Sequence, residues 1–262
     1  MSEISSLERT LWAISFFLNV ALVFLIFYRR NHKVYPFFCS YAIAAVLQNV
    51  AFYESYRIWG FFSLASARVA WSTQALVSIA RALAVTEVCY RVLAGYRGIW
   101  QLAMRLLLGG AALVFLYAWA VSRGSWQFAV LNMDRALELA MASVLGLLVV
   151  FARSYEVSLE TAPRTLTIGL FFYSGFRVLN DTMWGRWLNH YTALWGLLGT
   201  LTFLASLLLW SWALGHKMVL TAPDPALLSE EHYRLLSPAI NARLKNLNER
   251  LCHFWDARRQ KT

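Results

Sequence analysis

Apolar residues fill seven stretches of this chain, at about 9–28, 35–56, 70–92, 101–121, 134–153, 165–185 and 191–215. Each is close to the roughly 20 residues that a helix needs to cross a bilayer. Short polar segments separate them, and the apolar pattern stops after Gly215. The pattern predicts an all-α, multi-pass membrane protein. Its expected parts are a seven-helix transmembrane domain over 1–215 and a short helical cytoplasmic tail over 216–262.

The interruptions inside those stretches carry the information about chemistry. A charged group in a span costs about 2.5–3.5 kcal/mol on insertion scales, so it needs a partner. Gln74, Ser78 and Arg81 stand four and three residues apart and share one helix face. Asp134 and Glu138, one turn apart, open the fifth stretch, and the sixth carries Tyr173, Arg177, Asn180 and Asp181. The second contributes Gln48, Asn49 and Glu54. These spacings predict that Arg81, Glu138 and Arg177 face one another inside the bundle, with Glu54, Asn180 and Asp181 at its rim. Two readings stand side by side. Either the polar faces set the register of the helices, or they line a cavity for a small ligand. The candidate ligand-binding set is Glu54, Gln74, Arg81, Asp134, Glu138, Tyr173, Arg177, Asn180 and Asp181. Glu87, nearer the end of its stretch and one turn from Arg91, is expected to form an ion pair with it.

Orientation follows from the basic residues. Arg29 and Arg30 directly follow the first stretch, and its N-terminal flank (Glu3, Glu8, Arg9) has no positive excess, so it reads as a membrane span rather than a cleavable signal. Positive charge stays in the cytoplasm, which predicts the N-terminus outside and the C-terminus inside. On that topology sixteen Lys and Arg lie inside and six outside, with the first loop and the tail deciding the balance. Aromatic residues such as Tyr28, Trp59, Trp126 and Trp212 fit the interfacial belt. The segment 55–69 is expected to lie on the outer surface as the longest outside connection, and Gly109–Gly110 to mark a bend or helix crossing.

Composition changes the picture mainly by exclusion. Only 15% of residues are charged, against about 25% in a soluble domain. The net charge of +10 is spread over helix ends and the tail, which suits phospholipid headgroups and not nucleic acid. The four lysines (Lys33, Lys217, Lys245, Lys261) all lie outside the stretches, so no Schiff-base lysine for retinal is available. The five histidines sit at stretch ends or in the tail, which leaves no intramembrane haem ligands. Cys39, Cys89 and Cys252 have no metal-ligand or pairing pattern and read as structural thiols on the cytoplasmic side. No metal, no cofactor and no catalytic residue is expected.

In the tail, Asp224–Pro225 and Ser237–Pro238 read as helix starts. From the second, Ile240, Leu244, Leu247, Leu251 and Phe254 recur at heptad spacing. That seam predicts a helix resting on the inner leaflet or the bundle, or one that joins a second copy or a cytoplasmic partner.

The run Tyr35-Pro36-Phe37-Phe38-Cys39-Ser40-Tyr41, behind Arg29-Arg30-Asn31-His32-Lys33-Val34, resembles a Tyr-Pro-x-Phe-x-x-Tyr entry to a second helix. Uncharacterised seven-helix inner-membrane proteins of the acidobacterial type carry such an entry, and Asn248-Glu249-Arg250-Leu251 adds to the resemblance. It implies a bacterial inner-membrane location and no particular activity. The expected function is a sensor or receptor component that binds a small ligand from outside and signals through its tail. A small-solute or ion transporter is the alternative, and a membrane-embedded lipid enzyme the third.

Overall fold

The computed structural model describes residues 6–60, 63–93, 97–121, 126–154, 161–184, 192–216, 242 and 245–250. Among these, seven α-helices follow one another: α1 Ser6–Tyr28, α2 Pro36–Trp59, α3 Leu64–Leu93, α4 Arg97–Val121, α5 Trp126–Ser154, α6 Thr161–Trp184 and α7 Thr192–Leu214. A single 3-10 turn, Asn31–Lys33, links α1 to α2. No strand is present among the described residues. Stretches of α1, α2, α4, α5 and α7 are long and apolar enough to cross a membrane. The chain therefore has the character of a membrane protein. The two helices outside that set are α3 and α6, which carry Arg81 and Arg177.

Cross-helix contacts show how the helices run. Ser66 Oγ donates to Ser55 O, Gln48 to Gln74, and Phe38 N to Glu87, so α2 and α3 are antiparallel. Arg177 meets Asp134 and Phe171 meets Gly146, which makes α5 and α6 antiparallel. Helix α1 closes a ring by packing on both α2 and α7. Helix α3 is the hub, packing on α2, α4, α5 and α6. Its many buried residues include Ser78, Arg81, Ala84, Glu87 and Val88. A polar helix is tolerated there because its polar face looks at protein.

Two helix starts differ from the sequence pattern. The segment 55–69 is not a surface connection: α2 continues to Trp59 and α3 begins at Leu64. Gly60, at φ +78°, turns the chain, a region that favours glycine. Ser63 then accepts the Ser66 N–H at 3.0 Å, as an N-cap does. Likewise α5 begins at Trp126, so Asp134 and Glu138 lie two to three turns inside the helix rather than at its opening. The residues ahead of Asp134, Trp-Gln-Phe-Ala-Val-Leu-Asn-Met, contain no proline or glycine to stop a helix.

The core holds one large aromatic centre. Buried Trp210 of α7 meets Phe38 at 5.5 Å, Tyr41 at 6.0 Å and Tyr173 at 6.0 Å between ring centroids. Its indole lies against Gly169 of α6, where an added Cβ would stand 2.6 Å from Trp210 Nε1. The close approach of α6 and α7 therefore depends on that glycine. Gly109 and Gly110 of α4 meet nothing, so the expected helix crossing there is not formed among the described residues. All three aromatic positions of the Tyr-Pro-x-Phe-x-x-Tyr run, Tyr35, Phe38 and Tyr41, are buried.

Candidate functional site

Four helices bring polar side chains to one place. Asp134, on α5, is its centre. Gln74 Nε2 donates to Asp134 Oδ2 at 3.1 Å, and Ser78 Oγ donates to Oδ1. Arg177 Nη2 of α6 donates to Oδ2 at 2.6 Å, and Arg81 Nη2 of α3 lies 3.5 Å from Oδ1. Gln48 of α2 joins through its 3.0 Å bond to Gln74 Oε1. One turn along α5, Glu138 Oε1 stands 2.5 Å from Arg81 Nη2 and 3.6 Å from Arg177 Nε. Two arginines and two carboxylates thus form a quartet that closes at zero net charge, which keeps any bare ion from an apolar surrounding.

The two carboxylates are held differently. Asp134 receives three hydrogen-bond donors from two helices, Gln74 and Ser78 of α3 and Arg177 of α6. Glu138 is fully buried, and its 2.5 Å approach to Arg81 is ionic without hydrogen-bond alignment. Arg81 Nε has no hydrogen-bond partner among the described residues, and the Ser174 hydroxyl lies beside the Glu138 carboxylate. Tyr173 covers Arg81, with the guanidinium carbon 5.2 Å from its ring centroid, a cation–π contact. Arg177 is the member that reaches the exterior. Its side chain is 28% exposed, whereas those of Arg81, Asp134 and Glu138 are all at or below 6%.

The candidate residues from the sequence divide as follows. Gln74, Arg81, Asp134, Glu138, Tyr173 and Arg177 come together. Asn180 stands one turn beyond Arg177, with its amide toward Gly199 of α7. Asp181 falls in α6, with its side chain outside the described residues. Glu54, expected at the rim, stands 3.7 Å from Arg57 on an exposed part of α2 and makes no contact with the quartet among the described residues. Six residues along a helix place it about 120° around the axis from Gln48, the residue of α2 that does join. Ser174, Tyr41 and Trp210 were not singled out as site residues, because serine and aromatics are ordinary in membrane helices.

At the end of the bundle that holds the α1–α2 link lies a second polar arrangement. Glu87 of α3 accepts the Phe38 N–H at 2.9 Å in the first turn of α2. Arg91 donates to Val34 O and lies over the Tyr35 ring at 5.6 Å. The expected Glu87–Arg91 ion pair is therefore replaced by two side chain–backbone contacts. A helix N-terminus has free N–H groups and positive dipole charge, both of which attract a carboxylate. Asn31, fully buried, donates from Nδ2 to Leu214 O at 2.9 Å and His216 O at 3.0 Å. This clamp ties the α1–α2 link to the C-terminal end of α7, and Asn31 had no sequence signal to mark it.

Of the expected tail seam, Ile240, Leu244, Leu251 and Phe254 lie outside the described residues. Leu247 belongs to a helical segment over 245–250 and is 42% exposed. Cys39 and Cys89 are buried free thiols, and Cys252 lies outside the described residues.

Among the described residues no group of three or more His, Cys, Asp or Glu is placed to hold a metal ion. Comparison with known proteins returns no match to any family model, to any curated protein or to any solved structure.

Proposed function

We propose that this chain is a sensor or receptor component of the cell inner membrane. All seven helices cross the bilayer, with the N-terminus outside and the C-terminus in the cytoplasm. A small polar ligand enters from the outside at Arg177, and the response leaves through the tail. The placement of basic residues supports the orientation, and the inward pairing of Arg81 and Arg177 supports counting α3 and α6 as spans. The tail then lies in the cytoplasm, where its helix would meet the inner leaflet, a second copy or a partner protein.

One observation carries the sensing reading. Helix α3 holds Arg81 in the quartet and, about 9–15 Å along the same helix, Glu87 and Arg91 in the clamp. The clamp grips the carbonyls at the end of α7, from which the tail departs. A ligand that shifts α3 by rearranging the quartet therefore also acts on the clamp. Proline stands only in the first turns of α2 and α6 (Pro36, Pro163), so no described helix is broken at mid-length as transporter helices often are.

The test uses the full chain in lipid nanodiscs with a fluorophore at Asn246. A panel of small polar solutes is screened for a rise in Tm together with a change in the tail signal. Arg177→Lys keeps the charge but loses the planar two-nitrogen fork. It is expected to keep the Tm of the unliganded protein and to lose both solute responses. A lowered Tm in the variant, with no solute response in either protein, would make the quartet purely structural. Solute accumulation by liposomes holding this chain alone would favour a transporter.

A further inference from the structure

We infer that the quartet takes up a small monocarboxylate together with one proton, the carboxylate pairing with Arg177 and the proton going to Glu138. This rests on the outer-ligand reading above and names the ligand class. The starting point is electroneutrality. Arg81 and Arg177 stay protonated in proteins, so with Asp134 and Glu138 ionised the site is neutral. An added anion would leave one uncompensated negative charge among side chains that are nearly all buried, which is strongly unfavourable. The arginines cannot gain a proton. Only a carboxylate can restore neutrality.

Geometry selects which one. Asp134 accepts hydrogen bonds from Gln74, Ser78 and Arg177 and lies 3.5 Å from Arg81. Glu138 has two ionic contacts, with Arg81 and Arg177, and the Ser174 hydroxyl as its neighbouring neutral donor. The groups facing it are Arg81 of α3, Arg177 and Ser174 of α6 with Tyr173 nearby, Tyr41 of α2 and Asp134 on its own helix. On α4, Arg105 and Tyr117 are exposed, and α7 carries no titratable side chain among its described residues. The neutral donor facing it, the Ser174 hydroxyl, can donate to an ionised Glu138 and turn to accept from a protonated one.

The ligand class follows from Arg177. It is the exposed member, and a guanidinium edge matches a carboxylate in two-point fashion. On binding, a ligand oxygen accepts from Arg177, the 3.6 Å contact of Arg177 Nε with Glu138 opens, and Glu138 takes a proton that the buffer in the surrounding solution supplies. Asp134 keeps its donors. One anion and one proton enter, and the charge of the site does not change.

The experiment is calorimetric titration of acetate into the full chain in nanodiscs at pH 6, 7 and 8, where acetate is an anion. Running each titration in two buffers of different ionisation enthalpy counts the protons. About one proton should be taken up per acetate, with affinity falling about tenfold per pH unit by linkage. Glu138→Gln should bind acetate without proton uptake and without that pH slope. Glycine, already neutral, is the control. Acetate binding without proton uptake, or glycine binding in its place, would overturn this inference and leave an outer ligand site standing. Absence of acetate binding at pH 6 in the unmodified protein would also overturn it. The broader reading fails separately, if the Arg177→Lys protein answers the solute panel as the unmodified one does. The proton count in the unmodified protein decides the matter even where Glu138→Gln does not fold.

Discussion

The quartet and the clamp use similar residues to opposite ends. In the quartet, charged side chains on α3, α5 and α6 neutralise one another. In the clamp, Glu87, Arg91 and Asn31 reach instead for main-chain groups: the Phe38 N–H, the Val34 carbonyl and the last carbonyls of α7. The difference decides how each region answers substitution. Side-chain partners can be removed together and leave nothing behind. A backbone partner stays when the side chain that satisfied it is gone.

The sharpest way to break this comparison is at Arg81. Arg81→Met would leave Asp134 and Glu138 buried with only Arg177 between them. Removing one partner of a buried pair costs about 3–5 kcal/mol. The double variant Arg81→Met, Glu138→Leu leaves one neutral pair, Arg177 with Asp134, and should recover most of that loss. Unfolding of each variant from the same bicelles gives the coupling energy. A double variant no more stable than Arg81→Met alone would mean that the quartet does not balance charge as its geometry indicates.

Between the two regions lies the Trp210 centre, where α6 and α7 meet. Gly169→Ala places a methyl 2.6 Å from Trp210 Nε1 and 3.0 Å from Cδ1. The indole has no easy retreat, because Phe38, Tyr41 and Tyr173 pack around it. Overpacking of this kind costs about 1–3 kcal/mol. Gly110→Ala on α4, where nothing lies within 4 Å, serves as the control and should leave the Tm unchanged or slightly raised. Equal effects at both glycines would argue against a tight α6–α7 contact.

Legibility in the sequence follows the same division. The quartet could be read because ionisable residues in apolar helices need partners, and the spacings of Gln74, Ser78 and Arg81 and of Asp134 and Glu138 fix a common face. For Glu54 the depth it shares with the others says nothing about which side of α2 it occupies. The clamp was not legible. Main-chain N–H and carbonyl groups exist at nearly every residue, so Asn31 carries no sign that it will meet Leu214 and His216. Glu87 and Arg91, one turn apart, looked like a local pair because sequence spacing cannot show the free end of another helix. The early starts of α3 and α5 were hidden for a related reason. A hydropathy window marks where a helix becomes apolar, whereas Ser63 marks where α3 begins.

The clamp gives the smallest effect and the clearest contrast. Glu87→Leu leaves the Phe38 N–H without its acceptor in the first turn of α2 and removes a negative charge from a helix N-terminus. Together these are worth about 0.5–2 kcal/mol. Glu87→Gln keeps an acceptor oxygen and should lose less than half as much. Adding Arg91→Leu to Glu87→Leu should not rescue, because Arg91 serves the Val34 carbonyl and the Tyr35 ring, a different pair of groups. The two losses should instead add, in contrast to the recovery expected for Arg81 with Glu138. Hydrogen exchange at Phe38 locates the effect: faster exchange in Glu87→Leu than in Glu87→Gln is the expected order. Rescue by the second substitution would mean that Glu87 and Arg91 act as an ion pair after all, and the distinction between the two regions would fall.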